Sequence, residues 1–463
     1  MKRITSICLV FFTVLTLLMG TALAAPEYSG DVDPSYAVML IDVDSKQVLC
    51  EQRADDQIKP ASTTKILTCI LALEKCSLDD IVKVGPEGDW TGSAYSLLGT
   101  RNGEEIKLRD LLYGMMLASG NDAAATVAIH VAGSTEAFSQ MMNNKAQELG
   151  MTGSHFINPH GVDKDNHYVT ARDMSKLVLY AMKNQQFREI VKTPTYDMPS
   201  TNVNRAKTIE NTNFLLIKDK PEYFRYANGI KTGSTPDAGG CLVASASKDD
   251  MNLIALVYGD QTADRSDRWR IAKDLFEWGF DRFETVELAT LLKTAEPVQI
   301  QVENYAADDA GDGLLEFKRP EVASTYVTLE KTTVQGILDG TDSIDSKPSY
   351  MKDLPLRAPI SEGDILGTVT YSSKATEEII FIDNLIASRD VFEAGSIGGT
   401  AVATLPPTVP EEILTRKDNA SVWLWLLIPG GLIVFLVIRL FTVNKRKRRR
   451  FKRRKPHYSY RIR

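Results

Sequence analysis

Two long apolar runs at opposite ends, Ile7–Met19 and Val422–Ile438, bound the part of this 463-residue chain that can build a core in water. Lys2 and Arg3 precede the first run, and the small-x-small stretch Ala22-Leu23-Ala24 follows it. A basic flank, a short apolar stretch and a small-residue site form the layout of an export signal, so cleavage before Ala25 is expected. The second run holds 17 uncharged residues and extends to Phe441 if Arg439 snorkels toward the headgroups. About 20 residues make a helix of roughly 30 Å, the thickness of a bilayer's hydrocarbon core. Trp423 and Trp425 suit an interfacial belt, and the basic stretch Lys445–Lys455 suits the cytoplasmic side. The expectation is an export signal over 1–24, a spacer over 406–421, a transmembrane helix over 422–441 and a basic cytoplasmic tail over 442–463. The body then lies outside the cell, anchored in the membrane by its C-terminal helix.

The formal net charge of −6 conceals an asymmetry that follows from this division. The segment from Val422 onward carries 13 of the 54 Lys and Arg and no acid. The signal takes two more, leaving 39 basic residues against all 60 acidic ones, a net charge of −21 on the body. Such a body repels phosphate backbones, which argues against nucleic acid as a partner. Of the five cysteines, Cys8 leaves with the signal; Cys50, Cys69, Cys76 and Cys241 remain. Cys69 and Cys76 lie seven apart in what reads as one helix, about 10 Å along its axis, too far for a disulfide. Free thiols are expected. No CxxC and no Cys/His array points to a metal, so no cofactor is expected.

Tyr36–Asp42 and Gln47–Cys50 flank the polar turn Val43–Lys46, the signature of a hairpin. Helical periodicity follows at Ile66, Leu67, Ile70 and Leu71 and again at Leu108, Leu111, Leu112, Met115 and Met116, before strands return at Gly240–Ala246 and Leu253–Tyr258. Strands at both ends with helices between predict an α+β domain over 25–283, one mixed sheet covered by helices. From Glu284 to about 405, short β-like runs at Val298–Val302, Tyr326–Leu329, Ile365–Tyr371 and Ile379–Ile382 predict a second, all-β domain.

Chemistry enters at Pro60-Ala61-Ser62-Thr63-Thr64-Lys65, immediately before an apolar-periodic run. This places Ser62 at a helix N-terminus and Lys65 one turn on, on the same face. A serine needs a base to take its proton, and first-turn amides can hold the oxyanion that forms on an acyl substrate. Ser-x-x-Lys also occurs at Ser245–Lys248 and Ser349–Lys352, so the pattern alone is not specific. Ser119-Gly120-Asn121 interrupts a helix-like run, and Lys231-Thr232-Gly233-Ser234 precedes a strand; Lys-Thr-Gly occurs once in the chain. In this order the three elements form a specific signature of serine acyl enzymes of the penicillin-binding and β-lactamase class.

The chain resembles the low-molecular-mass penicillin-binding proteins, D-alanyl-D-alanine carboxypeptidases of peptidase family S11. Further matching stretches are Leu112–Ala118, Phe156–Val162, His167–Asp173, Asn228–Ile230 and, in the β-rich segment, Ala358–Asp364. The resemblance implies a penicillin-binding/β-lactamase-like fold followed by a small β-sandwich domain. It implies Ser62 as nucleophile, Lys65 as its base and Ser119 as proton relay. Asn121 would bind substrate amides, Lys231 would assist proton handling and the local field, and Thr232 would bind the substrate carboxylate. Backbone N–H groups of Ser62 and Ser234, the latter following Gly233, would form the oxyanion hole. Arg265 or Arg268 would add carboxylate binding. The implied partners are peptidoglycan stem peptides and β-lactam antibiotics. Burial and the charge of Lys231 would both depress the Lys65 pKa, freeing it to act as a base.

The five histidines, His130, His155, His160, His167 and His457, belong to no H-E-x-x-H motif, and no G-x-S-x-G elbow is present, so structural roles are expected for them. A class A β-lactamase would need a mid-chain glutamate to activate water, and residues 151–188 contain none. A membrane sensor would need an output domain, for which the basic tail is too short.

Overall fold

The computed structural model describes residues 28–395, apart from Ser93, Ala94, Glu321, Ala323, Lys352 and Asp353. The expected export signal, spacer, membrane helix and basic tail lie outside the described residues. Among those described, no helix is long and apolar enough to cross a membrane.

Every residue of β1 (Ala37–Asp42) is buried, because its sheet is covered on both faces. Side chains alternate across a strand, so Ala37, Met39 and Ile41 enter one core while Tyr36, Val38 and Leu40 enter another. The partners are β2 (Val48–Gln52), β3 (Ala227–Thr235), β4 (Gly239–Lys248) and β5 (Met251–Asp260), in the order β2-β1-β5-β4-β3. Every pairing is antiparallel. This corrects the expected mixed sheet. The strands after the helical region follow one another through tight turns, and β5 then runs back along β1, so no parallel crossover is needed.

Between β2 and β3 the chain builds the helical layer on one face. It comprises α1 (Lys65–Lys75), α2 (Leu108–Leu117), α3 (Asn121–Ala132), α4 (Thr135–Glu148), α5 (Ala171–Ala181) and α6 (Gln185–Val191). Local chemistry sets their ends. Ser134 accepts the Ala137 N–H at the start of α4, Thr170 accepts the Asp173 N–H at the start of α5, and Gly133 ends α3 with φ 82°. The opposite face of the sheet is covered by α7 (Asp267–Arg282), which contributes Trp269, Ile271, Leu275 and Phe276. Cys50, Cys69 and Cys241 are buried free thiols, and Cys76 is a half-buried one.

A third core lies in the later residues. There β6 (Phe283–Glu287) pairs with β7 (Tyr326–Glu330), and β8 (Ile344–Tyr350), β9 (Ile365–Ser373) and β10 (Ile379–Ile386) form an antiparallel sheet. Pro348 lies in β8, an edge strand, where a missing N–H costs no ladder bond. The segment is β-rich but not all-β. It contains α8 (Lys331–Asp339), whose Thr333, Val334 and Ile337 repeat at helical spacing and which Gly340 ends with φ 78°. A segment that short shows less than three turns of periodicity, which hides it among strands.

Asp42 joins the first hairpin to the β6–β7 pair. Its buried carboxylate accepts N–H bonds from Asp44 and Ser45, the Ser45 hydroxyl and the Thr285 hydroxyl, at 2.7–3.0 Å. Burial raises its pKa despite these donors. Asp42→Ala is expected to lower unfolding free energy by about 3 kcal/mol, since several donors lose one acceptor. Denaturant unfolding of the variant measures this.

Candidate active site

The turn that carries Ser62 is a 3-10 turn, Ala61–Thr64, that leads into α1 at Lys65. Ser62 is thus in the lead-in to the helix rather than capping it, and no side chain caps this start. Ala61 takes φ 46°, a left-handed conformation costly for a residue with a Cβ. Neighbouring backbone holds it there. A Cβ on Gly161 (φ 84°) would lie 1.8 Å from Ala61 O, so glycine is required for the loop to close over the turn. Thr63 and Thr64 donate their hydroxyls back to Pro60 O and Ala61 O at 2.6 and 2.9 Å.

Lys65 is fully buried, and its Nζ lies 2.8 Å from Ser62 Oγ, 2.7 Å from Asn121 Oδ1 and 2.8 Å from His160 O. The last two can only accept. A neutral amine has two N–H bonds and one lone pair, so it satisfies both acceptors and still points its lone pair at the serine hydroxyl. Burial holds the Lys65 pKa well below the usual lysine range, helped by the charge of Lys231 and opposed by Asp122. Asp122 is itself buried and accepts N–H bonds from Leu98, Gly99, Thr100 and Ala123 at 2.6–3.0 Å. It thereby ties the 98–100 loop to the start of α3.

Ser119 lies between α2 and α3 with φ 60°, almost fully buried. The Lys-Thr-Gly element precedes β4, as expected, and is itself part of edge strand β3. This strand crosses the Ser62 turn at close range: a Cβ on Gly233 would stand 3.0 Å from Ser62 N and Ala61 Cβ. Lys231 is buried, and desolvation, with the nearby Arg268 charge, lowers its pKa to about 7. Thr232 Oγ1 is 2.7 Å from Thr212 Oγ1, and Ser234 is exposed. Of the two arginines, Arg268 is the one that touches this strand: it is buried, donates to Gly233 O at 2.8 Å and stacks on Trp269. Arg265 is half-buried beside Gly240, next to Arg268.

The structure therefore brings Ser62, Lys65 and Asn121 into direct contact, with Lys231, Thr232 and Gly233 alongside. Sequence reasoning passed over Asp122, Thr212 and the carbonyl of His160. Asp122 adjoins Asn121 and Thr212 carries no local pattern, whereas His160, for which a structural role is expected, sits in the Asn-Pro-His-Gly stretch. Its contribution is a backbone oxygen; its imidazole packs edge-on against Trp90 at 5.0 Å.

The family model described as D-alanyl-D-alanine carboxypeptidase matches residues 24–262. The chain belongs to that family of serine peptidases. It is 29% identical over 406 residues to the D-alanyl-D-alanine carboxypeptidase DacF of Bacillus subtilis, covering 86% of this chain and 96% of that protein. It is 32% identical over 402 residues to DacC of Escherichia coli, covering 83% and 91%. Penicillin binding protein 5 from Haemophilus influenzae superposes with a TM-score of 0.60 at 25% identity, covering 79% of this chain and all of that one. The shared architecture is the penicillin-binding one, helices packed on an antiparallel sheet.

His167 supports the Ser62 turn from behind. Its Nδ1 accepts the Ile157 N–H at 3.3 Å, so Nε2 carries the proton, 3.1 Å from Thr64 Oγ1. Burial, then the Lys59 charge, lowers its pKa to about 3. Below the usual value the unfolded chain takes a proton that the folded one refuses, so stability is lost as pH falls from about 6.5 toward 3. Between pH 7 and pH 4 the loss in His167→Gln should be about 3 kcal/mol smaller than in the parent protein, as read by denaturant unfolding at each pH.

Proposed function

We propose that this protein removes the terminal D-alanine from peptidoglycan stem pentapeptides through an acyl-enzyme on Ser62. The observation that carries the reading is the buried Lys65 amine 2.8 Å from Ser62 Oγ, with two obligate acceptors occupying its N–H bonds. Lys65 takes the hydroxyl proton as Ser62 Oγ bonds to the carbonyl carbon of the penultimate D-alanine. The N–H groups of Ser62 and Ser234 hold the oxyanion. Collapse breaks the peptide C–N bond, the leaving amine receives the proton by way of Ser119, and water then releases the shortened peptide.

The other site residues orient the substrate. Asn121 presents its side-chain amide, Thr232 binds the terminal carboxylate, and Lys231 with Arg268 or Arg265 supplies the positive field. β-Lactams enter as covalent inhibitors at the same serine. With no glutamate among residues 151–188, the penicilloyl ester is long-lived. Export, and anchoring by the 422–441 helix with the catalytic domain outside, complete the reading; the two apolar runs and the basic tail support it.

The full chain, incubated with a stem pentapeptide ending in D-Ala-D-Ala, is expected to release D-alanine and to retain a fluorescent penicillin. Ser62→Ala is expected to do neither, and Lys65→Ala to acylate about 10³-fold more slowly. D-Alanine release by Ser62→Ala at the parent rate would overturn the assignment. Thr232→Ala is expected to act mainly on KM for the pentapeptide, measured from initial rates.

A further inference from the structure

Helices α1 and α3 pack against each other, and their N-terminal ends meet at the active site, where Lys65 donates to Asn121. Their C-terminal ends also converge, about 14–16 Å further on at 1.5 Å per residue. Cys76 is the C-cap of α1, His130 lies in the last turn of α3, and Asp80 stands between them in the turn that follows α1. One thiol sulfur, one carboxylate oxygen and one imidazole nitrogen from these residues all lie within 4.8 Å of one another. All three side chains are half-buried and reachable from solvent. Among the described residues, no other group of three His, Cys, Asp or Glu converges in this way.

We propose that Cys76, Asp80 and His130 bind one divalent cation of the zinc class, with water as a fourth ligand. The donor set is one soft thiolate, one imidazole and one carboxylate, which suits zinc and disfavours magnesium or calcium. The spacing agrees. His130 Nε2 and Asp80 Oδ2 are 3.5 Å apart, long for a direct hydrogen bond. Two ligands each about 2.05 Å from a tetrahedral ion stand about 3.3 Å apart.

The surroundings support a cation there. The C-terminal ends of two helices point their carbonyl dipoles toward the cluster. The nearby cations Lys107 and Arg109 pair with Asp79, not with Asp80. The Ser77 N–H holds Asp80 Oδ2 at 3.1 Å, and the Asp80 carbonyl is anchored by the Leu108 N–H at 2.9 Å, so the carboxylate is positioned from its own turn. On binding, the Cys76 S–H bond breaks heterolytically, its electron pair goes to the metal bond and its proton to solvent. No electron is transferred. The bound ion ties together the far ends of the two helices that carry Lys65 and Asn121.

The test uses the full chain, reduced and metal-free, in a Cys8→Ser background. Titration with Co²⁺ is expected to give a sulfur-to-cobalt charge-transfer band that saturates at one equivalent and that Zn²⁺ abolishes by displacement. Cys76→Ser is expected to lose the band, and His130→Asn and Asp80→Asn to weaken Co²⁺ binding at least about tenfold. Saturating Zn²⁺ is expected to raise Tm by a few degrees in the parent protein and not in Cys76→Ser. Circular dichroism of each variant confirms that it is folded. Absence of the band in the parent protein, or its persistence in folded Cys76→Ser or at full affinity in folded His130→Asn, would overturn the proposal.

Discussion

The active site is organised around a lysine that has nowhere to put a charge. Lys65 is fully enclosed, and the same enclosure supplies a carbonyl, an amide oxygen and a serine hydroxyl at 2.7–2.8 Å. Burying an ammonium costs far more than burying an amine. The surrounding structure therefore selects the form of Lys65 that can accept a proton, and it does so before any substrate arrives. Its three partners come from three different segments: the Ser62 turn, the start of α3 and the 158–162 loop. Each has to be held independently, and much of the local backbone strain lies there.

That requirement explains features that look unrelated in isolation. Ala61 and Ser119 occupy left-handed backbone positions beside Ser62 and Asn121, a Cβ on Gly161 would overlap Ala61 O, and one on Gly233 would crowd Ser62 N at 3.0 Å. Buried polar groups pin these segments: Asp122 gathers the 98–100 loop, Asn158 accepts the Gly161 N–H at 2.7 Å, and His167 backs the Thr64 hydroxyl. Strain at a site persists only when its surroundings over-determine it. Here the over-determination comes from a sheet buried on both faces and from helices whose ends terminate at the site.

Positive charge is the second constraint. Arg268 helps depress Lys231 and Lys231 helps depress Lys65, each after burial, while the carboxyl groups of Asp122 and Asp260 sit buried behind them. A cleft lined by Lys231 and Arg268 carries a positive field within an acidic body. Arg268, rather than Arg265, touches the strand that lines this cleft, since it lies on the first turn of α7 facing Gly233 O.

Much of the architecture was legible in the chain itself. The opening hairpin, the apolar-periodic helices and the strands near residues 240 and 253 are local patterns, and local patterns survive without tertiary context. So were the three short motifs, whose order along the chain carries their meaning. What the sequence could not reveal is how distant segments meet. Lys65 contacts residues 56 and 95 positions away, and Thr232 contacts Thr212 across a strand edge, pairings that no periodicity encodes. The wholly antiparallel sheet and the short helix after β7 were hidden for related reasons, one set by strand return and the other too brief to show a period. Cys76, Asp80 and His130 make the same point. The chain by itself determined which groups were available, and only the packing of α1 against α3 decided that these three would share one place, because side-chain proximity is set by helix crossing and not by spacing in the sequence.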